Sequence, residues 1–200
     1  VQLSRLERFM ALDTAREDVD LGSLLEGVVD TFRPRLEEGE MDIVLRVEPD
    51  LPALRVNLEQ VERVFLNLFD NAVKFTPEGG TFIVTVDRCT HEDRDGILTQ
   101  IQDSGVGIPH AELVRIFDRF HQVDPSSRRR FGGMGLGLSL VRSIIEAHRG
   151  MVWAESEEGV GSTFSVWIPQ AEPTAESSDG TAPSVRLDSG GVSRVPIEEV

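Results

Sequence analysis

Sulfur and positive charge are both scarce in this chain, and each shortage removes a class of function. A single cysteine, Cys89, leaves no internal disulfide framework and no CxxC pair for zinc, which fits a reducing cytoplasm. Cys89 itself reads as a buried or half-buried strand residue. Twenty Lys and Arg stand against 35 Asp and Glu, a net charge of -15, which argues against nonspecific binding to nucleic acid or to an anionic membrane. An anionic ligand would need positive charge gathered locally. No apolar run approaches the ~18 residues of a membrane span, and the N-terminus lacks the shape of a signal peptide. The chain begins at Val1 without a methionine, which reads as a fragment. What is present, 200 residues of which 40% are hydrophobic, suffices for the core of one domain with extensions.

Periodicity divides the chain into alternating helices and strands. Leu3, Leu6, Phe9 and Met10 predict a helix over residues 2–13. Asp20 is the expected N-cap of a second helix ending near Glu38-Gly39. Residues 41–47 alternate as a strand, and Pro49 and Pro52 mark a loop. Val56 closes a very short extended piece before Asn57 and Gln60, a capping-box-like start to a helix. Pro77-Glu78-Gly79-Gly80 stops that helix. Residues 81–87 and 97–102 read as paired strands joined by a charged loop, residues 91–96. Pro109 opens a short helix, and residues 121–131 read as a polar, basic, mobile loop. A glycine-rich run, 132–137, opens a helix ending at His148-Arg149-Gly150, and strands 151–156 and 163–168 complete the fold. From Gln170 onward, Ser, Gly, Pro, Thr and acidic residues without any aromatic predict a disordered tail.

The helix after Asn57 carries two stripes. Val61, Val64, Phe65, Leu68 and Ala72 form a core face. At about 100° per residue, Asn67, Asn71 and Lys74 share another line, which reads either as a solvated edge or as a ligand site. Asp103-x-Gly105-x-Gly107 leaves a strand end where backbone can approach a ligand closely and a carboxylate can accept from an exocyclic amine; a plain strand-to-helix turn is its other reading. Gly132 to Gly137 precede a helix start, where free N–H groups and the positive helix end favour an anion. No Lys-Ser/Thr follows, so this is not a Walker A loop. Arg128, Arg129 and Arg130 just upstream suit a phosphate lid or a solvated basic loop. Asn71 offers an amide oxygen to Mg²⁺, and Lys74 a point charge to a phosphate.

In order along the chain, Asn67-Leu68-x-x-Asn71-Ala72-x-Lys74-Phe75-Thr76, Asp103-x-Gly105-x-Gly107-Ile108, Phe117-x-x-Phe120 and Gly132-Gly133-x-Gly135-Leu136-Gly137-Leu138 resemble four boxes. They are the N, G1, F and G2 boxes of the sensor histidine kinase ATP-binding domain, within the superfamily shared with gyrase, the ninety-kilodalton heat-shock chaperones and MutL proteins. The resemblance covers residues 19–169, and residues 1–18 resemble the end of a dimerisation and phosphoacceptor hairpin. It implies an α/β two-layer sandwich: a mixed sheet of about five strands, covered on one face by three helices, with ATP under a flexible lid. Carried over, Asp103 would read the adenine amine in a pocket shaped by Gly105 and Gly107. Asn71 and Asn67 would hold Mg²⁺. Lys74, Arg128, Arg129, Arg130, Gly133, Gly135, Gly137 and Leu138 would form the phosphate side, and Thr163 would join the water network at adenine. The implied partners are the hairpin of a homodimeric parent kinase and a downstream response regulator.

One departure limits the activity expected. His91, His110, His121 and His148 are the four histidines, and none lies on a helix with the acceptor pattern, so autophosphorylation within this chain is expected to fail. Met134 and Gln122 stand where the family often has a hydroxyl or amide and an arginine. These departures keep open a nucleotide-binding regulatory module without phosphotransfer. A gyrase- or MutL-type ATPase clamp wants a glutamate where Asn67 stands.

Overall fold

The computed structural model describes residues 15–122 and 135–170. The expected helix at 2–13 and the expected tail, apart from Gln170, lie outside the described residues. Eleven elements follow in order among the described residues: β1 (Glu17–Val19), α1 (Leu21–Glu38), β2 (Asp42–Val47), β3 (Leu54–Val56), α2 (Leu58–Phe75), β4 (Thr81–His91), β5 (Arg94–Asp103), α3 (His110–Leu113), α4 (Gly137–Ala147), β6 (Met151–Glu157) and β7 (Gly161–Pro169).

Five strands form one sheet in the order β2-β4-β5-β7-β6. β2 runs parallel to β4 and the other neighbours are antiparallel, so the sheet is mixed, as expected. The alternation in β4 turns Phe82, Val84 and Val86 inward with no exposed surface. Their counterparts are Ile97 and Ile101 on β5 and Phe164, Val166 and Ile168 on β7, all buried. The buried stripes of α1, α2 and α4 cover this face. Phe69 of α2 fixes the layers: its ring meets Phe82 of the sheet edge-on at 6.3 Å and Phe32 of α1 at 5.8 Å. Burying one such side chain contributes about 1.5–3 kcal/mol.

Both expected caps form. Asp20 Oδ1 accepts from Ser23 N–H at 3.0 Å, and Asn57 Oδ1 accepts from Gln60 N–H at 2.8 Å, satisfying donors that a helix start leaves unpaired. α1 continues through Pro34, which has no N–H to give the preceding turn.

Three expectations change. β1 pairs antiparallel with β3, Glu17 opposite Val56, so the expected boundary between residues 18 and 19 falls inside a strand. The loop expected at 91–96 is a two-residue turn, Glu92-Asp93, between strands that pair as far as His91 and Arg94. Both turn residues have positive φ, 48° and 60°, the twist that two-residue hairpins favour. Charged side chains on an exposed ribbon had masked the strand pattern. The helix expected to open within the glycine run begins at its last glycine, Gly137.

Among the described residues no helix covers the sheet's other face. There Leu98 pairs with Trp167, and Trp167 is only 1% exposed. Its indole N–H donates to the Cys89 carbonyl at 3.0 Å, and the Arg94 guanidinium lies 5.2 Å from the ring. Cys89 is half-buried on β4, as expected.

Candidate nucleotide site

The site gathers where the C-terminal half of α2, the end of β5 and the start of α4 come together. Asn67, half-buried on α2, donates from Nδ2 to the Arg63 carbonyl at 2.7 Å. That bond turns its oxygen toward α4, so closely that a Cβ built on Gly137 would stand 3.0 Å from Oδ1. An amide oxygen and the free N–H groups of a helix start therefore share one spot. Asn71 lies one turn further along α2, also half-buried.

Asp103 ends β5 and is 7% exposed. Burial pushes its carboxyl above the usual range, partly opposed by hydrogen bonds from the N–H groups of Gly105 and Ser162. The Gly105 bond is 2.8 Å, and a Cβ at Gly105 would meet the Phe75 carbonyl at 2.6 Å. Val106 N–H donates to that same carbonyl at 3.1 Å, which lashes the glycine loop to the end of α2. Gly107 needs its left-handed φ of 69°, and a side chain there would collide with the Glu157 carbonyl. Ser156 completes the buttress. Its hydroxyl accepts from Ile108 N–H at 2.8 Å, donates to the Gly161 carbonyl at 2.8 Å and lies 3.0 Å from the Ser162 hydroxyl.

Gly135, at φ 67°, packs on Phe120 and His121, and its carbonyl accepts from Phe120 N–H at 3.0 Å. His121 Nε2 lies 2.6 Å from Glu112 Oε2. Leu138 is half-buried against the core. Lys74 is ion-paired with Asp70, one turn back on α2, and Asp70 also accepts from Arg35 of α1 at 2.9 Å. Burial alone would raise the Asp70 carboxyl, but hydrogen bonds from Lys74 and Arg35 hold it below its usual value. Arg128, Arg129, Arg130, Gly133 and Met134 lie outside the described residues.

Thr163 lies one residue from the partner of Asp103 on β7. Register sets Asp103 opposite Ser162 and Gln102 opposite Thr163, and successive strand residues face opposite ways. The side chains of Thr163 and Ser162 therefore alternate across the sheet, with Ser162 on the face of Asp103, yet a single 240 Å³ depression is lined by Asp103, Ser162 and Thr163 together with Gln102 and Glu155. Sequence reasoning missed Ser162 and Ser156 because register, which it lacked, decides which hydroxyl faces the carboxylate. It missed Asp70 because the stripe argument sorted α2 by amides and cations alone.

His148 is the C-cap of α4, in the capping role expected of it, and is 4% exposed. Its Nε2 accepts from Asn57 N–H at 3.1 Å, so Nδ1 carries the proton and donates to the Ile144 carbonyl at 2.8 Å. Burial, with help from nearby Arg16, holds the ring below its ordinary pKa against that last bond. Arg16 itself donates to the Ala147 carbonyl at 2.9 Å.

Residues 57–172 match the profile of the histidine kinase-, DNA gyrase B- and HSP90-like ATPases. The chain belongs to that family. Its curated relatives include the circadian input-output histidine kinase CikA of Synechococcus elongatus, 35% identical over 85% of this chain and 22% of CikA. The sensor histidine kinase WalK of Bacillus subtilis is 31% identical over 85% of this chain and 28% of WalK. The chain thus spans less than a third of either relative. Among solved structures, the nucleotide-free catalytic domain of histidine kinase ThkA aligns with a TM-score of 0.67 at 26% identity, covering 78% of this chain and 97% of ThkA's domain. Full-length ShkA in complex with AMPPNP aligns at 0.70 with 30% identity, over 82% of this chain and 33% of ShkA. The sandwich expected from the motifs is the fold of histidine kinase catalytic domains.

The residues present suit a magnesium nucleotide. Among the described residues no group of three His, Cys, Asp or Glu could hold a metal ion, so a cation here would draw on the amide oxygens of α2 and on phosphate. Oxygen ligands of that kind suit Mg²⁺. No described helix is long and apolar enough to cross a membrane.

Proposed function

We propose that this chain binds Mg-ATP and donates the γ-phosphate to a histidine on a dimerisation hairpin of its parent kinase. The observation that carries this reading is Asn67 Oδ1 set against Gly137 at the start of α4, one place for metal, phosphate and helix dipole. Asp103 would accept from the adenine amine, with Gly105 and Gly107 shaping the pocket and Ser162 beside it. Asn71 and Asn67 would give amide oxygens to Mg²⁺, whose charge offsets that on the transferred phosphoryl group. Gly135 and Gly137 would bring backbone close to the phosphates, as would Gly133, and Lys74 and Arg128 to Arg130 would supply positive charge. Phosphoryl transfer of this kind is mostly positioning and electrostatics.

The four histidines support an acceptor elsewhere. His148 is buried with both nitrogens bonded, and His121 is held by Glu112. His91 sits on the β4–β5 hairpin and His110 begins the four-residue α3. The hairpin would precede Arg16, the parent would be dimeric, and a response regulator would take the phosphoryl group onward in the cytoplasm. The ShkA complex with AMPPNP supports the ligand class.

The test mixes the chain with a separately made hairpin carrying its histidine and γ-labelled ATP. Label on the hairpin is the expected result, and none is expected on this chain alone. ATP binding without transfer would leave a nucleotide-binding regulatory module instead.

A further inference from the structure

We infer that Asp70 sets nucleotide affinity by holding Lys74 as its counter-ion until phosphate displaces it. This rests on the Mg-ATP reading above and names a residue that reading does not use.

Asp70 sits on α2 beside the amide stripe, about a third exposed, with Lys74 and Arg35 both bonded to its carboxylate. The two cations are not equivalent. Arg35 comes from a different helix, and its guanidinium also lies 5.4 Å from the Phe32 ring, which is buried and packed on Phe69. That contact fixes Arg35 independently of Asp70. Lys74 belongs to the same helix as its partner, one turn away, on a flexible stem, and shares the line of Asn67 and Asn71. It is the mobile member of the trio.

Lys74 can therefore leave for a phosphate without orphaning the carboxylate, because Arg35 remains. An unpaired half-buried carboxylate would be costly; a carboxylate that keeps one of two partners is not. The exchange still carries a cost in affinity, since Lys74 must give up one anion to meet another and Asp70 stays close to the incoming charge. Removing the Asp70 charge leaves Lys74 uncommitted and takes a negative charge from beside the phosphate site.

The experiment compares ATP and adenosine binding to wild type, Asp70→Asn, Lys74→Gln and the double variant by calorimetry at low salt. Asparagine keeps the shape and an oxygen for Arg35. The expected result is ATP binding about two- to fivefold tighter in Asp70→Asn, on the scale of partly exposed ion pairs. The gain shrinks at high salt, adenosine binding stays the same, and the gain is clearly smaller in the Lys74→Gln background, where only the loss of the Asp70 charge acts; an equal gain in that background overturns the inference. Arg35→Gln, which leaves Lys74 as the sole partner, is expected to weaken ATP binding. Unchanged or weaker ATP binding in Asp70→Asn overturns the inference, as does an equal change for adenosine. A wild type that binds adenosine but gains nothing from the phosphates, or that binds neither ligand, overturns the Mg-ATP reading itself.

Discussion

Asn67 and Gly137 touch across the gap between two helices: the amide oxygen of one occupies the space that a side chain on the other would need, 3.0 Å from its Cβ position. Gly137→Ala should therefore press Asn67 aside while giving α4 a better helix former. ATP affinity is expected to fall about tenfold, ~1.4 kcal/mol. The melting temperature should hold, because alanine's advantage over glycine of roughly 0.5–1 kcal/mol belongs to helix interiors and Gly137 is the first residue of α4. Calorimetry and thermal unfolding on the same sample separate the loss of binding from any loss of fold.

Ser162→Val and Thr163→Val separate the two faces of β7. The first stands directly opposite Asp103 and the second opposite Gln102. ATP binding should weaken about five- to tenfold in Ser162→Val, the loss of a hydrogen-bonding group beside a buried carboxylate. Thr163→Val should bind as wild type. Equal losses would return Thr163 to the adenine side.

Gly107→Ala meets two obstacles at once, a left-handed φ and the Glu157 carbonyl. The loop can satisfy neither without moving off β6. Destabilisation of about 1–3 kcal/mol is expected, read by denaturant melts, with ATP binding lost at temperatures where the sheet remains folded.

His148 gives the fold a pH dependence of known sign. Its folded pKa lies below the ordinary 6.5, so the unfolded chain binds a proton that the folded chain refuses. The stability owed to the neutral ring is complete above about pH 6.5 and is lost as pH falls below it toward the folded value. His148→Gln offers an acceptor to Asn57 N–H and a donor to Ile144. It should flatten the fall in stability below about pH 6.5. An unchanged slope in that variant would assign the acid loss to other groups.

Local rules carried much of the architecture. The caps at Asp20 and Asn57, the apolar stripe of α2 and the alternation of β4 and β7 follow from spacing, because each depends on neighbours a few residues away. The glycines of the Asp103 loop were legible for the same reason, since a backbone that must pass close to another has few alternatives. Register was not legible. The hairpin's true length depended on two turn residues with positive φ, and the choice between Ser162 and Thr163 on pairing with a strand sixty residues earlier. Spacing along α2 allows the Asp70–Lys74 pair, four residues apart, but not the second cation of that cluster, Arg35, which comes from α1.

Both tryptophans of the chain, Trp153 and Trp167, lie on the sheet face that no described helix covers: the first opposite Ser165 and the second opposite Leu98, in alternate positions of the same ladder. Asp103, Asn67 and the glycine loops belong to the other side of the sheet or to its helices. Intrinsic fluorescence will therefore follow the unfolding of the sheet faithfully while staying nearly silent to a nucleotide. A ligand titration on this domain calls for a labelled nucleotide or for heat, not for the indoles.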